Sequence, residues 1–270
     1  MSVTPQLSSP QLLARRLWSA DAHWHPGDFA WQAATGGPAT EHVWPDAAWA
    51  RLMGEHLDVL IDPSRIDPAE VIAWAPGATS ATVNGTEDAV ARALVEAGFE
   101  RDDDANWFSH HHIALDSLPS VDLAPGYRLR AVTRDEAEAR AEVHRRSWSD
   151  LGPSTFSVEK MTAVMSESLY DPAFDIVAET DDGEMVATTL GWLDRETGVG
   201  LLEPVGCVPE HRRKGLGRAT NLAVLQAFRD AGATLGRVCP RGDEGYPIPG
   251  RLYRSIGFKP VARTELYRRV

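Results

Sequence analysis

The segment that most restricts the possible folds of this chain is a short basic loop with two glycines, residues 208–218 (VPEHRRKGLGR). An apolar stretch with strand character, residues 199–208, comes before it, and a mostly apolar stretch with helical periodicity, Gly215 to Ala231, follows it. Glycines at the start of a helix let an anion approach unpaired backbone N–H groups at the positive end of the helix dipole. The loop therefore predicts a site for an anion such as a pyrophosphate between a strand and a helix.

The charge of this loop is opposite to that of the whole chain. The 270 residues include 27 Lys and Arg against 39 Asp and Glu, a formal net charge of −12, which disfavours nucleic acid and anionic membranes as partners. The loop nevertheless concentrates four cationic side chains, a local arrangement suited to phosphate: Arg212, Arg213, Lys214 and Arg218. Its spacing matches neither a P-loop nor the dinucleotide-binding fingerprint, so the sequence disfavours nucleotide hydrolysis and a Rossmann domain.

Cysteine content and hydropathy indicate where such a chain works. Cys207 and Cys239 are too few for a disulfide framework and too irregularly placed for a zinc site. The start of the sequence has no apolar run of signal-peptide length, and no stretch approaches the ~18 apolar residues of a membrane span. We expect a cytoplasmic protein that binds no metal. The adjacent histidines at 110–112 fall in a predicted strand, whose neighbouring side chains point to opposite faces.

Mixed helices and strands predict an α/β fold for the second half of the chain. In chain order the patterns predict a strand at 127–132, helices at 133–148 and 158–168, strands at 174–180, 185–193 and 199–208, a helix at 215–231, a strand at 235–239, a helix at 251–256, and two final strands at 258–261 and 265–269. Residues 119–126 have prolines, a glycine and no periodicity, and are predicted to be a linker. We expect one domain at 1–118 and another at 127–270.

With these elements in place, the second half resembles the GNAT acetyltransferase superfamily. The coenzyme signature of that superfamily is Arg/Gln-x-x-Gly-x-Gly/Ala after a Val-x-Pro strand end, and Arg212 to Gly217 (RRKGLG) match it in full. A second element, Leu-Tyr-x-x-x-Gly-Phe, is matched by Leu252 to Phe258. The resemblance implies a splayed mixed sheet flanked by helices, with acetyl-CoA as the cosubstrate.

The resemblance also implies roles for individual residues. The coenzyme's pantetheine arm would enter where strand 199–208 parts from strand 235–239, and backbone groups near Cys207 and Val208 would bind it. Tyr253 would donate a proton to the departing thiolate; the alternative is a tyrosine that only packs against the coenzyme. The pyrophosphate would lie on the backbone N–H groups of the loop residues Arg213, Lys214, Gly215, Leu216, Gly217 and Arg218.

The sequence specifies the acyl acceptor site and the base less closely than the coenzyme site. Tyr246 and Pro249 replace the Asn and Ala common in the family, so this loop should contact the coenzyme differently. Asp243, Glu244 and Tyr246 are expected near the acceptor. Glu203 interrupts an apolar strand, where a carboxylate is costly unless it has a task or a partner. We expect it to deprotonate the acceptor amine, and a structural salt bridge is the alternative.

The first half of the chain repeats part of this pattern. Predicted strands at 58–63 and 81–83, a helix at 88–97 and a strand at 107–115 surround a Gly98-Phe99 pair that parallels Gly257-Phe258. No glycine-rich basic loop follows the strand at 58–63. We therefore expect a degenerate GNAT-like domain without a coenzyme loop, so that two such domains stand in tandem; an unrelated N-terminal domain is the alternative.

The sequence thus predicts an acyl-CoA-dependent N-acyltransferase. An acyl group, most simply acetyl, would pass from CoA to a primary amine of a small molecule or peptide. The alternative is a non-catalytic CoA-binding or regulatory module of the same fold. The intact loop in the second half favours the enzyme, because the first half shows what loss of the loop looks like. The oligomeric state is left open.

Overall fold

The computed structural model describes residues 6–150 and 152–270. Helices and strands alternate through both halves of this described part. Its α-helices are α1 (Ser9–Arg16), α2 (Pro26–Thr35), α3 (Pro68–Ala73), α4 (Asp88–Glu96), α5 (Ala137–Ser147), α6 (Val158–Ser166), α7 (Leu216–Asp230) and α8 (Ile248–Ile256). Its strands are β1 (Thr40–Trp44), β2 (Ala48–Met53), β3 (His56–Ile61), β4 (Ser80–Asn84), β5 (Phe99–Arg101), β6 (Ser109–Ala114), β7 (Tyr127–Ala131), β8 (Asp175–Thr180), β9 (Met185–Asp194), β10 (Val199–Cys207), β11 (Leu235–Val238) and β12 (Lys259–Arg269).

All of these strands belong to one mixed sheet, and its two halves repeat the same arrangement. The order is β1-β2-β3-β4-β12-β6-β11-β10-β9-β8-β7, with β5 paired to β12. In the first half an antiparallel hairpin, β2–β3, is followed by α3, by β4 parallel to β3, and by α4. In the second half the hairpin β9–β10 is followed by α7, by β11 parallel to β10, and by α8. The α/β fold and the tandem repeat predicted from the sequence are confirmed.

The two halves exchange their last strands. β6 belongs to the first half in sequence, yet it pairs with β11 of the second half. β12 closes the second half, yet residues Thr264–Arg268 pair with β4 of the first half. β6 and β12 also pair with each other and so join the halves into one sheet. Residues 119–126, the predicted linker, contain no helix or strand.

Most predicted elements lie within a few residues of their observed positions. The helix predicted from Val158 begins there, and the Ser157 hydroxyl accepts a hydrogen bond from the Lys160 N–H at 3.3 Å. The prediction of two final strands is wrong, because β12 is one continuous strand. This strand pairs with β6 over Lys259–Arg263, with a bulge after Pro260, and then with β4 over Thr264–Arg268.

The sheet opens between β10 and β11, as predicted. These strands pair only where Val199–Leu201 face Leu235–Arg237. β10 then continues to Cys207 with β9 as its neighbour, and a bulge interrupts that pairing between Leu202 and Val205. Beyond Leu201, the edge of β10 that faces away from β9 therefore has no neighbouring strand and borders the gap.

Helix α2 precedes the first-half strands in sequence but packs against the second-half sheet at this gap. Its N-cap is the fully buried His25, whose Nδ1 accepts from the Gly27 N–H at 3.0 Å while Nε2 donates to the Val199 carbonyl at 3.1 Å. Burial lowers the pKa of His25 to about 4, so the ring is neutral. A Cβ on Gly27 would lie 2.4 Å from the Cβ of Trp192, so only glycine allows this approach.

The structure gives no sign of a metal centre or a membrane span in its described residues. Within residues 6–150 and 152–270, no group of three or more His, Cys, Asp or Glu side chains could hold a metal ion. None of the helices in these two ranges combines the length and apolarity needed to cross a bilayer.

Candidate active site

A cavity of about 740 Å³ lies between the two halves at the gap beside β10. Both halves supply its walls, which are mainly apolar but carry acidic, aromatic and thiol side chains. From the second half the lining includes Leu202, Glu203, Cys239, Tyr246 and Tyr253, and from the first half it includes Trp24, Asp28, His56, Asp58 and Phe108. The predicted acid and base, Tyr253 and Glu203, therefore share one cavity.

Glu203 lies in the bulge of β10 and lines the cavity together with a carboxyl group from the first half, that of Asp28. The Trp192 indole N–H donates to the Glu203 carbonyl at 2.7 Å and fixes the backbone. Burial, and then the adjacent Asp28, raise the pKa of Glu203 well above its usual range. Glu203 is not in a salt bridge within 4.0 Å among the described residues, contrary to the structural alternative.

A buried cation lies close to this carboxyl pair. Arg237 of β11 is fully buried and donates to the backbone carbonyls of Ala22, at 2.8 Å, and His23. Its charge counteracts part of the rise in the Glu203 pKa. The neighbouring His110 is neutral, because burial lowers its pKa to about 2. The bonds of Arg237 hold the segment before α2 against β11.

Tyr253 of α8 lines the same cavity and is 6% exposed. Its ring contacts Phe258 edge to face, with 5.7 Å between the ring centroids. Burial raises the pKa of Tyr253 far above its usual value of 10, so the phenol is protonated at neutral pH and can donate. The nearby Cys239 is also protonated, since burial raises its pKa to about 11.

The predicted anion loop leads into a helix N-terminus, and two of its residues have left-handed backbone conformations. Arg213 has φ 62° and Gly215 has φ 79°, and α7 begins at Leu216. The first backbone bond into the helix joins the Ala219 N–H to the Gly215 carbonyl at 2.9 Å. The N–H groups of the preceding helical residues have no carbonyl one turn back. They are free to bind an anion at the positive end of the helix.

The side chains of the loop divide into structural and available cations. Arg212 is structural: its guanidinium donates to the Cys207 and Ser147 carbonyls at 3.0 and 2.7 Å and pairs with Asp150 at 2.6 Å. Arg213, by contrast, is exposed to solvent. Two further loop cations are held more weakly from outside the loop, Lys214 by the Tyr127 hydroxyl at 2.8 Å and Arg218 by the Ser120 carbonyl at 3.4 Å.

The backbone at the end of β10 is only partly free. The Val208 N–H donates to Val186 at 2.9 Å, and the Val208 carbonyl accepts from His211 at 3.0 Å. Because backbone groups alternate sides along an antiparallel strand, the Cys207 N–H faces the gap. Of the two residues predicted to bind the pantetheine arm, Cys207 keeps a free group and Val208 does not. The Cys207 side chain is a thiol, since burial raises its pKa to about 11.

Of the three residues in the loop before α8 that are predicted to lie near the acceptor, only one lines the cavity. Tyr246 lines the cavity. Asp243 does not, because its carboxylate is bound to the Arg241 guanidinium and caps the Gly245 N–H at 3.0 Å. Glu244 is exposed to solvent outside the cavity. Neither carboxylate therefore lines the cavity: that of Asp243 is bound within its own loop, and that of Glu244 lies at the surface.

Sequence reasoning missed the contribution of the first half to this cavity. Asp28 occupies the first turn of α2, where an acidic residue is an ordinary helix-capping choice, so no local signal marks it. His56 and Asp58 lie on β3, with 3.3 Å between the His56 Nε2 and an Asp58 carboxylate oxygen. The alternation of β3 predicted a strand but gave no sign that one of its faces borders a cavity.

Comparisons with known proteins agree with this geometry. Residues 138–239 match the Acetyltransferase (GNAT) family. Over 164 residues the chain is 32% identical to a protein named mycothiol acetyltransferase from Thermobispora bispora, an alignment that covers 56% of this chain and 53% of that protein. The chain spans about half the length of the curated relatives it matches.

Two solved structures share the fold over nearly the whole chain. A GCN5-related N-acetyltransferase from Sphaerobacter thermophilus superposes with a TM-score of 0.65 at 19% identity, covering 97% of this chain and 90% of that one. A tandem GNAT protein from the clavulanic acid biosynthesis pathway gives the same TM-score at 16% identity, with 95% and 91% covered. At these identities the likeness is one of fold, and it extends to both halves.

Proposed function

We propose that this protein transfers an acetyl group from acetyl-CoA to a primary amine, because residues 138–239 match the Acetyltransferase (GNAT) family and both halves share the fold of a tandem GNAT protein. One observation carries the proposal. The sheet opens beside a free helix N-terminus, and the opening leads into a cavity that holds a protonated phenol, that of Tyr253, and the carboxyl group of Glu203.

The loop and the gap together suit the extended shape of the coenzyme. In the proposal the pyrophosphate lies on the N–H groups of residues 213–218, with Arg213, Lys214 and Arg218 adding positive charge. Arg212 holds the loop in place through its ion pair with Asp150. The pantetheine arm follows the free edge of β10, where the Cys207 N–H is available, and brings the thioester to the cavity.

The proposed reaction is a direct attack on the thioester. Glu203 takes a proton from the acceptor ammonium, directly or through water, and the freed amine attacks the carbonyl carbon. A C–N bond forms, the C–S bond breaks, and the Tyr253 phenol gives its proton to the departing thiolate. The amide nitrogen loses its second proton to the resulting phenolate, which restores Tyr253, and Glu203 releases its proton to solvent.

We propose a small-molecule amine as the acceptor, with a peptide amine as the other possibility. Both halves line the cavity, and its lining carries the carboxyl groups of Asp28, Asp58 and Glu203. These acidic groups suit a cation. The relative from Thermobispora bispora bears the name mycothiol acetyltransferase, so amines of that chemistry belong in a panel assayed with acetyl-CoA for thiol release.

The anion loop gives the first test. Acetyl-CoA at ~100 times its dissociation constant should add about 2.7 kcal/mol to the free energy of unfolding of the whole chain. Gly217→Glu should abolish this gain, because the new carboxylate occupies the helix N-terminus and repels the pyrophosphate. Thermal unfolding with and without acetyl-CoA measures the effect.

Gly217→Ala is the matched control. Its Cβ would meet the Leu252 side chain at 3.5 Å, an ordinary contact, and it leaves the backbone N–H in place. This variant should keep most of the stabilisation by acetyl-CoA. A full thermal shift in Gly217→Glu would show that the coenzyme does not bind at this loop.

A further inference from the structure

The first half has a gap of its own between two parallel strands. β3 and β4 pair only where His56–Asp58 face Ser80–Thr82. β3 then continues to Ile61 with β2 as its neighbour. Because β3 and β4 correspond to β10 and β11 in the repeat, this gap corresponds to the one in which the pantetheine arm is proposed to bind. We call it the first-half cleft.

The segment just before α2, residues 21–24, bridges the two sides of the first-half cleft. The Trp24 indole N–H donates to the Val59 carbonyl of β3 at 2.7 Å. The Asn84 side-chain amide of β4 donates to the Asp21 carbonyl at 2.6 Å. Val59 and Asn84 lie just beyond the stretch in which the two strands pair. The segment therefore binds β3 and β4 at the point where they stop binding each other.

Trp24 is packed tightly in this position. It is 7% exposed, and its ring centroid lies 5.4 Å from that of Phe29 in α2 and 5.6 Å from that of Trp49 in β2. Its one polar side-chain atom, the indole nitrogen, is hydrogen-bonded, so burial leaves no donor unsatisfied. A second cavity, of about 200 Å³, lies beside Trp24, and Leu60 and Ile61 at the end of β3 also line it. The ring thus fills part of the cleft and leaves a smaller space beside it.

The helix that follows β3 is capped by the chain itself. α3 follows β3 as α7 follows β10. The Asp67 carboxylate caps α3 by accepting from the Ala69 N–H at 2.9 Å, and Pro68 at the first helical position has no N–H. The N-cap of α7 is instead Gly215, which has no side chain to cap the helix. Where the second half leaves N–H groups free, the first half supplies a carboxylate of its own.

The segment that carries Trp24 also reaches the active-site cavity. His23 and Trp24 both line that cavity. Arg237 of β11 donates to the carbonyls of Ala22 and His23, so the segment is bound to the second half as well. A change in the seating of Trp24 in the first-half cleft would therefore move a wall of the cavity.

We propose that Trp24 and Asp67 take the places of the pantetheine arm and the pyrophosphate in the first half. The chain itself closes the first-half cleft, so the protein binds one coenzyme, in the second half. Trp24 is a positioning residue, which fixes the segment that forms one wall of the acceptor cavity. This last role rests on the proposed acetyl transfer, whereas the occupation of the cleft does not.

Removal of the Trp24 side chain tests the occupation of the cleft. Trp24→Gly in the full chain leaves a space for an indole ring, and buried apolar spaces bind small aromatic molecules. Free indole at ~10 times its dissociation constant should raise the melting temperature of this variant by about 3 °C and leave wild type unchanged. Trp24→Phe is the matched control, since it keeps an aromatic ring in the cleft, and indole should stabilise it little. A folded Trp24→Gly protein that indole does not stabilise would overturn the proposal.

A measurement on wild type keeps the test decisive if Trp24→Gly does not fold. The Trp24 indole N–H should exchange with solvent much more slowly than that of the partly exposed Trp31, because it is buried and bonded to Val59. NMR of protein with isotope-labelled tryptophan follows both signals. Equal exchange rates would show that Trp24 does not occupy the cleft.

Coenzyme stoichiometry and acceptor kinetics test the remaining statements. Calorimetric titration should give one acetyl-CoA per chain, and two would overturn the proposal. Trp24→Gly should raise the KM for the acceptor about tenfold with little change in stabilisation by acetyl-CoA, and indole should lower that KM again. An unchanged KM in this variant would reject the positioning role. If wild type acetylated no amine, the proposed function would fail, and the indole and exchange measurements would still decide whether Trp24 occupies the cleft.

Discussion

Replacing Tyr253 by Phe should lower kcat for acetyl transfer by about 100-fold, the lower end of the typical contribution of positioned proton transfer. The substitution removes the hydroxyl and keeps the ring that packs on Phe258. The departing thiolate would lose its proton donor, whereas coenzyme affinity should change little. Steady-state kinetics give kcat, and acetyl-CoA titration by thermal shift gives the affinity.

The same substitution at Tyr267 is the matched control. Tyr267 on β12 is as buried as Tyr253, at 6% exposed, but it packs in the core of the first half, away from the cavity. Tyr267→Phe should leave kcat unchanged. If Tyr253→Phe also left kcat unchanged while chemistry limits the rate, Tyr253 would be a packing residue, the alternative that the sequence leaves open.

Glu203→Gln should lower kcat/KM at neutral pH by about 100-fold or more, since a general base contributes on that scale. Glutamine keeps the length and hydrogen-bonding reach of the side chain but is not basic at any working pH. Part of the loss should be recovered at high pH, where the acceptor amine loses its proton unaided. The pH dependence of kcat/KM from about pH 6 to 10 measures both effects.

The outcome that would reject Glu203 as the base is an unaltered acidic limb in a folded Glu203→Gln protein that still binds acetyl-CoA. Attention would then pass to Asp28 and Asp58, whose carboxyl groups also line the cavity. It would not pass to Asp243 or Glu244. The former is neutralised by Arg241, and the latter faces solvent.

The parts of the site that could be predicted are those with local signals. The coenzyme loop is contiguous, and its glycines and charges mark it without reference to the rest of the chain. Tyr253 lies in a second contiguous element, and Glu203 is conspicuous as a carboxylate in an apolar strand. By contrast, Asp28 is far from Glu203 in sequence and looks like an ordinary helix cap, so only the fold shows that both residues line one cavity.

The exchange of strands had no sequence signal for a related reason. The sequence predicts strands at 107–115, 258–261 and 265–269, but a strand pattern does not specify which strand lies beside it. Neighbours are set by the path of the whole chain. The sequence likewise does not show that the Arg241 guanidinium binds the Asp243 carboxylate, so it places Asp243 near the acceptor.

The exchanged strands have a consequence for synthesis in the cell. When β4 leaves the ribosome, one of its edges lacks a neighbour until residues 264–268 of β12 arrive. At ~5–20 residues per second this delay is on the order of 10 seconds. An unpaired sheet edge is a template for association with other chains. The nascent first half thus needs protection, by a chaperone or by low local concentration, until the second half has been made.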